Sequence, residues 1–314
     1  MQLGVYIRNL KNYNDMLSVS LLAEKLNYYG LFLNDHIHGF ADNGREPYLE
    51  AWTTMSAIAA KTSKIRIGHV VLFNSLRNPT YLAKSISTLD NISQGRYEVL
   101  IGAGWNIPEY NGYDLMGKGR GMPSAKERVE RLKESVQILK GMFSQSEFSF
   151  EGKYWILKNA YNFPSPIQNP LRITIGCDKP RLMRLAIDYA DGFNTGGDLS
   201  ALDQKLNMFK SIAKKVEKNL SNYFISGFTG IQIAKNLEEY ETFAKNLSEQ
   251  TKRPLEDIKT NSLVGTSEIL IEKLLRANDM GVQMIIFAPR QVKSKDEFIE
   301  KLELIHDTVL PYIK

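Results

Sequence analysis

Cysteine is almost missing from this sequence: Cys177 stands alone among 314 residues. One thiol excludes an internal disulfide framework. Histidine is nearly as scarce, with 4 residues, which leaves little material for a metal site. Long apolar runs are missing too. Stretches such as 284–288 fall far short of the ~20 residues a bilayer span needs. The first residues, MQLGVYIRNLKNYND, carry no extended apolar segment, so a secretory signal is not expected. No block of one charge sign stands out. The 40 Lys+Arg and 35 Asp+Glu give a net charge of +5 that is spread along the chain. Without a basic run interleaved with aromatics, a nucleic-acid partner is not expected. No low-complexity linker or composition shift divides the chain, which points to one domain over 1–314. These absences, with ordinary proportions of apolar (43%) and charged (24%) residues, predict a globular, cytoplasmic protein.

What is present is an alternation of strand and helix signals. Strands are predicted at 2–8, 31–34, 64–73, 96–101, 172–175, 192–195, 223–234 and 282–288. Helices are predicted at 13–29, 50–62, 79–91, 124–143, 179–189, 199–218, 237–251, 268–279 and 296–310. The evidence is helical spacing of leucines in the first helix, β-branched runs such as KIRIGHVVLF, and Pro79 and Ser124 as start signals. A short β-like segment, FSFEGKYWIL, precedes the loop NFPSPIQNP. Eight strands interleaved with helices favour a closed parallel barrel over an open doubly wound sheet. A barrel takes ~250 residues, so the excess reads as insertions around 106–123, 148–170 and before residue 268.

In a barrel, chemistry gathers where strands end at their carboxyl side. The segment NDHIHGF (34–40) places Asp35 and His36 there. His36 suits proton transfer near neutrality; equally, Asp35 could cap a turn and His36 could pack. His36 and His38 also form an H-x-H pair, but a catalytic zinc usually takes three protein ligands, and His306 on the last helix cannot reach the mouth. In LFNSLRNP (72–79), Asn74 could hydrogen-bond a polar heterocycle, and Arg77 could instead pair with a carboxylate. In LIGAGWNIPEY (100–110), Gly102 and Gly104 permit close backbone approach, and Glu109 is a candidate acid, a substrate contact or a solvated carboxylate. In ITIGCDKPRLM (173–183), a strand runs through Gly176 into a helix start, an arrangement that binds phosphate or merely enters a helix.

Several stretches together resemble the bacterial-luciferase-like superfamily of flavin- or deazaflavin (F420)-dependent oxidoreductases. They are GLFLNDHIHGF (30–40), LEAWTTMSAIAAKTSKIRIGHVVL (49–72), RNPTYLAKSISTLDNISQGR (77–96), IGAGWNIPEY (101–110), FEGKYWILKNAYNFPSPIQNPLRITIG (150–176), RLAIDYADGFNTGG (184–197) and VGTSEILIEKL (264–274). The resemblance spans nearly the whole chain in family order. It implies an α/β fold, a (β/α)8 TIM barrel with loop insertions, and a flavin-type ring at the carboxyl end. The implied activity is F420-dependent hydride transfer with a small organic substrate. An FMN-dependent luciferase-like monooxygenase using molecular oxygen is the alternative, and a metal-dependent barrel hydrolase a weaker one. Catalytic roles would fall to His36, Asp35 and Glu109, with Asp35 orienting His36 through a hydrogen bond. A non-prolyl cis peptide is expected at Val70–Val71, behind the ring. The cofactor phosphate is expected near Gly176, Cys177 and Asp178, and near Gly102, Ala103 and Gly104. Asn74 would join these contacts, and Trp105 and Phe40 would wall the site. Sugar-phosphate dehydrogenases of the superfamily carry tryptophan where Phe40 stands and glutamate where Trp105 stands, so their activity is not carried over. A homodimer is also implied. The insertions at 106–123 and 223–264 would shape substrate choice.

Overall fold

The computed structural model describes residues 1–7 and 10–313. The first predicted strand extends to Arg8, which lies outside the described residues. The chain begins with β1 (Gln2–Tyr6), α1 (Tyr13–Lys25), β2 (Gly30–Leu33), α2 (Ala51–Ala59), β3 (Arg66–His69) and β4 (Leu72–Phe73). It continues with α3 (Pro79–Ile92), β5 (Tyr97–Gly102), α4 (Ile107–Gly112), α5 (Ala125–Ser144), β6 (Phe148–Glu151), β7 (Ile156–Ala160), β8 (Ile173–Gly176) and α6 (Pro180–Tyr189). The last part holds β9 (Gly192–Gly196), α7 (Leu199–Lys215), β10 (Phe224–Ile233), α8 (Leu237–Thr251), α9 (Leu255–Asn261), β11 (Val264–Gly265), α10 (Ser267–Asp279), β12 (Met284–Pro289) and α11 (Lys295–Thr308).

The parallel strands run β1-β2-β3-β5-β8-β9-β10-β12, and β12 pairs back onto β1. The sheet is therefore a closed (β/α)8 barrel, as the alternation predicted. Two apolar layers hold it. Phe32, Leu100, Phe224, Met284 and Ile286 fill the barrel interior, while a larger cluster packs strands against the outer helices. Local sequence sets the helix starts. Asn78 accepts from the Thr80 amide at 2.9 Å ahead of Pro79 in α3, and Ser124 accepts from the Glu127 amide at 3.2 Å ahead of α5.

Three boundaries differ from the sequence expectation. The first helix stops at Lys25, because Leu26 caps it and Asn27 takes a left-handed φ of 56°; the Tyr29 amide then donates to Leu3 in β1. The strand expected at 64–73 is divided into β3 and β4 by a cis peptide between Val70 and Val71. The region 252–266 holds α9 and the two-residue β11, which extends the β10 edge. The β-like segment at 148–160 is the antiparallel hairpin β6–β7. No helix among the described residues is long and apolar enough to cross a membrane.

Candidate active site

The carboxyl ends of the strands surround a cavity of about 720 Å³. Asp35 and His36 reach it from the end of β2, Val70–Phe73 from the break between β3 and β4, and Gly102–Trp105 from β5. Gly176, Cys177 and Asp178 follow β8, Asn194–Gly196 lie on β9, and Phe228 projects from β10. Most of the predicted residues are thus brought together. Glu109 stands behind His36 rather than on the cavity surface, and Asn74 lies apart. It lines a separate cavity of about 310 Å³ with Arg77, Arg131 and Trp155, because the chain turns away from the mouth into a short 3-10 turn after Phe73.

Asp35 and His36 are neighbours in sequence but belong to different networks. Asp35 is buried and forms a forked pair with Arg77, at 2.5 and 3.0 Å, while also accepting from the Phe73 amide at 2.9 Å. Arg77 extends the pair to Glu50, the capping residue of α2, at 2.9 Å. Burial would lower the Arg77 pKa, but the Asp35 carboxylate outweighs it and holds the guanidinium above its usual value. Behind them the buried His69 contacts the Tyr97 hydroxyl at 2.8 Å. Burial pushes His69 down to about 4, so it is a neutral packing group.

Asp35 therefore does not hydrogen-bond His36, contrary to the expectation. Glu109, from the first turn of α4, takes that place. Its Oε2 lies 2.7 Å from His36 Nδ1, and its Oε1 accepts from the Ile37 amide at 2.6 Å. Glu109 is completely buried. Burial alone would raise its pKa, but the hydrogen bonds from His36 and Ile37 prevail and hold the carboxyl below its ordinary range. A carboxylate held in this way beneath a histidine is placed to orient the imidazole and balance its charge. With Nδ1 engaged, Nε2 is the His36 nitrogen left for a ligand.

The walls are apolar and aromatic. Trp105 lines the cavity, and Phe40 stacks on it at 5.9 Å with an 11° interplanar angle while meeting the His36 ring edge-on at 4.8 Å. Phe40 is an outer flap on Trp105 rather than a cavity wall. The glycines that line the cavity also make room for neighbouring side chains. A Cβ on Gly102 or on Gly176 would lie 2.7 Å from a Val71 methyl group, so both make room for Val71 at the floor. Gly104 has φ +78° and abuts the Phe73 ring.

The far side of the cavity is cationic. Lys179 and Arg181 flank the start of α6, and Arg128 of α5 also lines the cavity; its Nη1 donates to the Pro123 carbonyl at 2.5 Å, and its Nε is buried with no protein partner. Asp178 is engaged by Lys205 Nζ and Thr195 Oγ1, each at 2.6 Å, so its charge is largely balanced. Burial would raise its pKa, but those hydrogen bonds hold it below the usual range. Cys177 is buried, and burial pushes its thiol well up, which leaves it an unreactive wall. Arg128, Asn194 and Phe228 were not singled out from sequence. They sit within a helix or a strand, where nothing in the local pattern separates them from packing residues. Among the described residues, no group of three or more His, Cys, Asp or Glu side chains could hold a metal ion, so the H-x-H pair finds no third ligand.

The profile of a family described as luciferase-like monooxygenase matches residues 1–247. A protein of Microbacterium testaceum named F420-dependent glucose-6-phosphate dehydrogenase is 31% identical over 197 residues, covering 62% of this chain and 56% of that protein. The chain spans about half the length of the curated relatives it matches, 56% and 52% in two such dehydrogenases. Among solved structures, an F420-dependent secondary alcohol dehydrogenase in complex with an F420-acetone adduct superposes with a TM-score of 0.81 at 20% identity, covering 100% of this chain and 99% of the other. EDTA monooxygenase from Chelativorans superposes with a TM-score of 0.80 at 14% identity, covering 100% and 93%. At these identities the two structures establish the fold.

Proposed function

Because the chain belongs to the luciferase-like monooxygenase family, we propose that it is an F420-dependent oxidoreductase that exchanges hydride with a small organic substrate. The observation that carries this reading is the cavity itself: an apolar floor at Val70–Val71, His36 at one rim and a cationic wall at the other. The residues fit such a cofactor. The cavity of about 720 Å³ is within the range of cofactor sites. The partnerless Nε of Arg128, beside Lys179, Arg181 and the start of α6, suits a phosphate. Relatives named F420-dependent glucose-6-phosphate dehydrogenase point the same way.

Bound deazaflavin supplies a two-electron hydride donor or acceptor at a ring carbon. The residues of this chain do the rest. Val70, Val71 and Phe73 would seat the ring, and Trp105 with Phe40 would exclude water. His36 would take or give at Nε2 the proton that accompanies hydride transfer, and Glu109 would fix the imidazole and balance its charge. Asp35 and Arg77 would hold the β2 loop behind it. A homodimer belongs to the same reading.

Titration of the purified protein with F420 and with FMN tests it. Saturable F420 binding, weakened by Arg128→Ala, is the expected result. Strong FMN binding with no F420 binding would replace this reading with the FMN-dependent monooxygenase.

A further inference from the structure

A second cavity, of about 680 Å³, opens beside the first between the ends of β9, β10 and β12 and the α8–α9 segment. Gly196 and Phe228 line both cavities, so the two share a wall. One side of the second is apolar, with Phe228, Phe243, Leu247, Pro289 and Val292. Two guanidinium groups face it, and their surroundings differ. Arg253 is neutralised: it pairs with Asp198 and with Asp257, whose Oδ2 lies 2.7 Å from its Nε. Arg290, at the end of β12, is not. Its Nε is buried with no hydrogen-bond partner, and it is paired with no carboxylate among the described residues. Asp198, the nearest charge balance, is already taken by Arg253 and by the Ala201 amide at 2.9 Å. Burial and then the neighbouring Arg253 charge both act against the Arg290 guanidinium ion, lowering its pKa. An unpaired half-buried cation is costly unless a ligand supplies the anion.

We propose that this second cavity is the substrate chamber and that Arg290 anchors the carboxylate of an amphipathic substrate, whose apolar part lies against Phe243, Leu247 and Val292. The proposal rests on the reading of the first cavity as the cofactor site. The shared wall at Phe228 brings the substrate's reacting carbon toward that site. The apolar side gives the chamber a preference for longer chains, since each added buried methylene tightens binding about fourfold.

The probe is octanoate, with acetate as its short counterpart, bound to the full chain and followed by calorimetry. Octanoate is expected to bind more tightly than acetate, and Arg290→Gln to weaken it by about tenfold or more, the loss of one charge-assisted contact. Arg290→Lys is expected to retain part of the binding. F420 affinity is expected to be unchanged by Arg290→Gln, and octanoate is expected to bind with F420 present. Equal binding of octanoate to wild type and Arg290→Gln would overturn the proposal. So would displacement of octanoate by F420, which would make the cofactor's own anionic tail the occupant. If Arg290→Gln does not fold, the wild-type chain-length comparison decides: octanoate binding no tighter than acetate refutes the chamber. Failure of F420 to bind at all would refute the reading of the first cavity while leaving the octanoate result to stand by itself.

Discussion

Replacing Glu109 by glutamine probes the contact on which His36 depends. The amide oxygen of glutamine can still accept from the Ile37 amide, which now lies 2.6 Å from Oε1. The amide nitrogen, however, would face His36 Nδ1, now 2.7 Å from Oε2. Two donors cannot share that contact, so the imidazole must change tautomer or turn away. A hydrogen bond to a charged group is worth about 1.5–3 kcal/mol, so unfolding stability should fall by about that amount. The same figure corresponds to roughly 10- to 150-fold in turnover if His36 moves the proton. The sign with pH is also determined. The folded-state carboxyl titrates below its unfolded value. Its contribution is therefore present above the unfolded pKa, about 4.3, and is lost as pH falls through the lower folded value. Urea unfolding of wild type and Glu109→Gln at neutral pH, and again below about pH 4, measures this; the gap between the two proteins should narrow in acid. Wild-type stability together with wild-type turnover would refute the reasoning. A loss of stability with full turnover would confine Glu109 to packing.

Other substitutions separate the remaining roles. His36→Ala should abolish most turnover while leaving cofactor affinity near wild type, and because it removes the partner of the buried Glu109 carboxylate it should also cost about 1.5–3 kcal/mol of stability; urea unfolding, a cofactor titration and a turnover assay check it. Asp35→Asn should destabilise by about 3 kcal/mol, the lower end for breaking a buried pair, since Arg77 keeps Glu50 at 2.9 Å; urea unfolding reads the loss. Gly176→Val should crowd Val71, which a Cβ there would already approach to 2.7 Å. It should cost about 1–3 kcal/mol and weaken cofactor binding through the displaced floor, as a melt and a fluorescence titration would show.

Much of the barrel was legible because each strand and helix carries its own periodicity. The β-branched run before residue 73 announced a strand, and Pro79 and Ser124 announced helices. What periodicity could not show was the interruption at Val70–Val71, which was anticipated only through family resemblance, or α9 and β11, whose short segments depend on packing at the β10 edge. The site divides in the same way. Asp35 and His36 stood out because they follow a strand, but their partners lie 42 and 73 positions away. Successive residues leaving a strand face opposite sides, so Asp35 turns back toward Arg77 while His36 faces the mouth. Adjacency in sequence suggested a contact between them that this alternation disfavours. Gly102 was read as a place of close backbone approach and Gly176 as part of a phosphate-binding turn; in the fold both also make room for Val71. Arg290 stood just past the last predicted strand, where chemistry gathers in a barrel, but the sequence could not show that it would lack a carboxylate partner.

A crystal structure of the protein with F420 is the most direct measurement. The ring should lie against Val70–Val71 within hydrogen-bond reach of His36 Nε2, with the phosphate beside Arg128 and the start of α6. A ring bound elsewhere, or a cavity that takes FMN and leaves F420 in solution, would contradict the assignment.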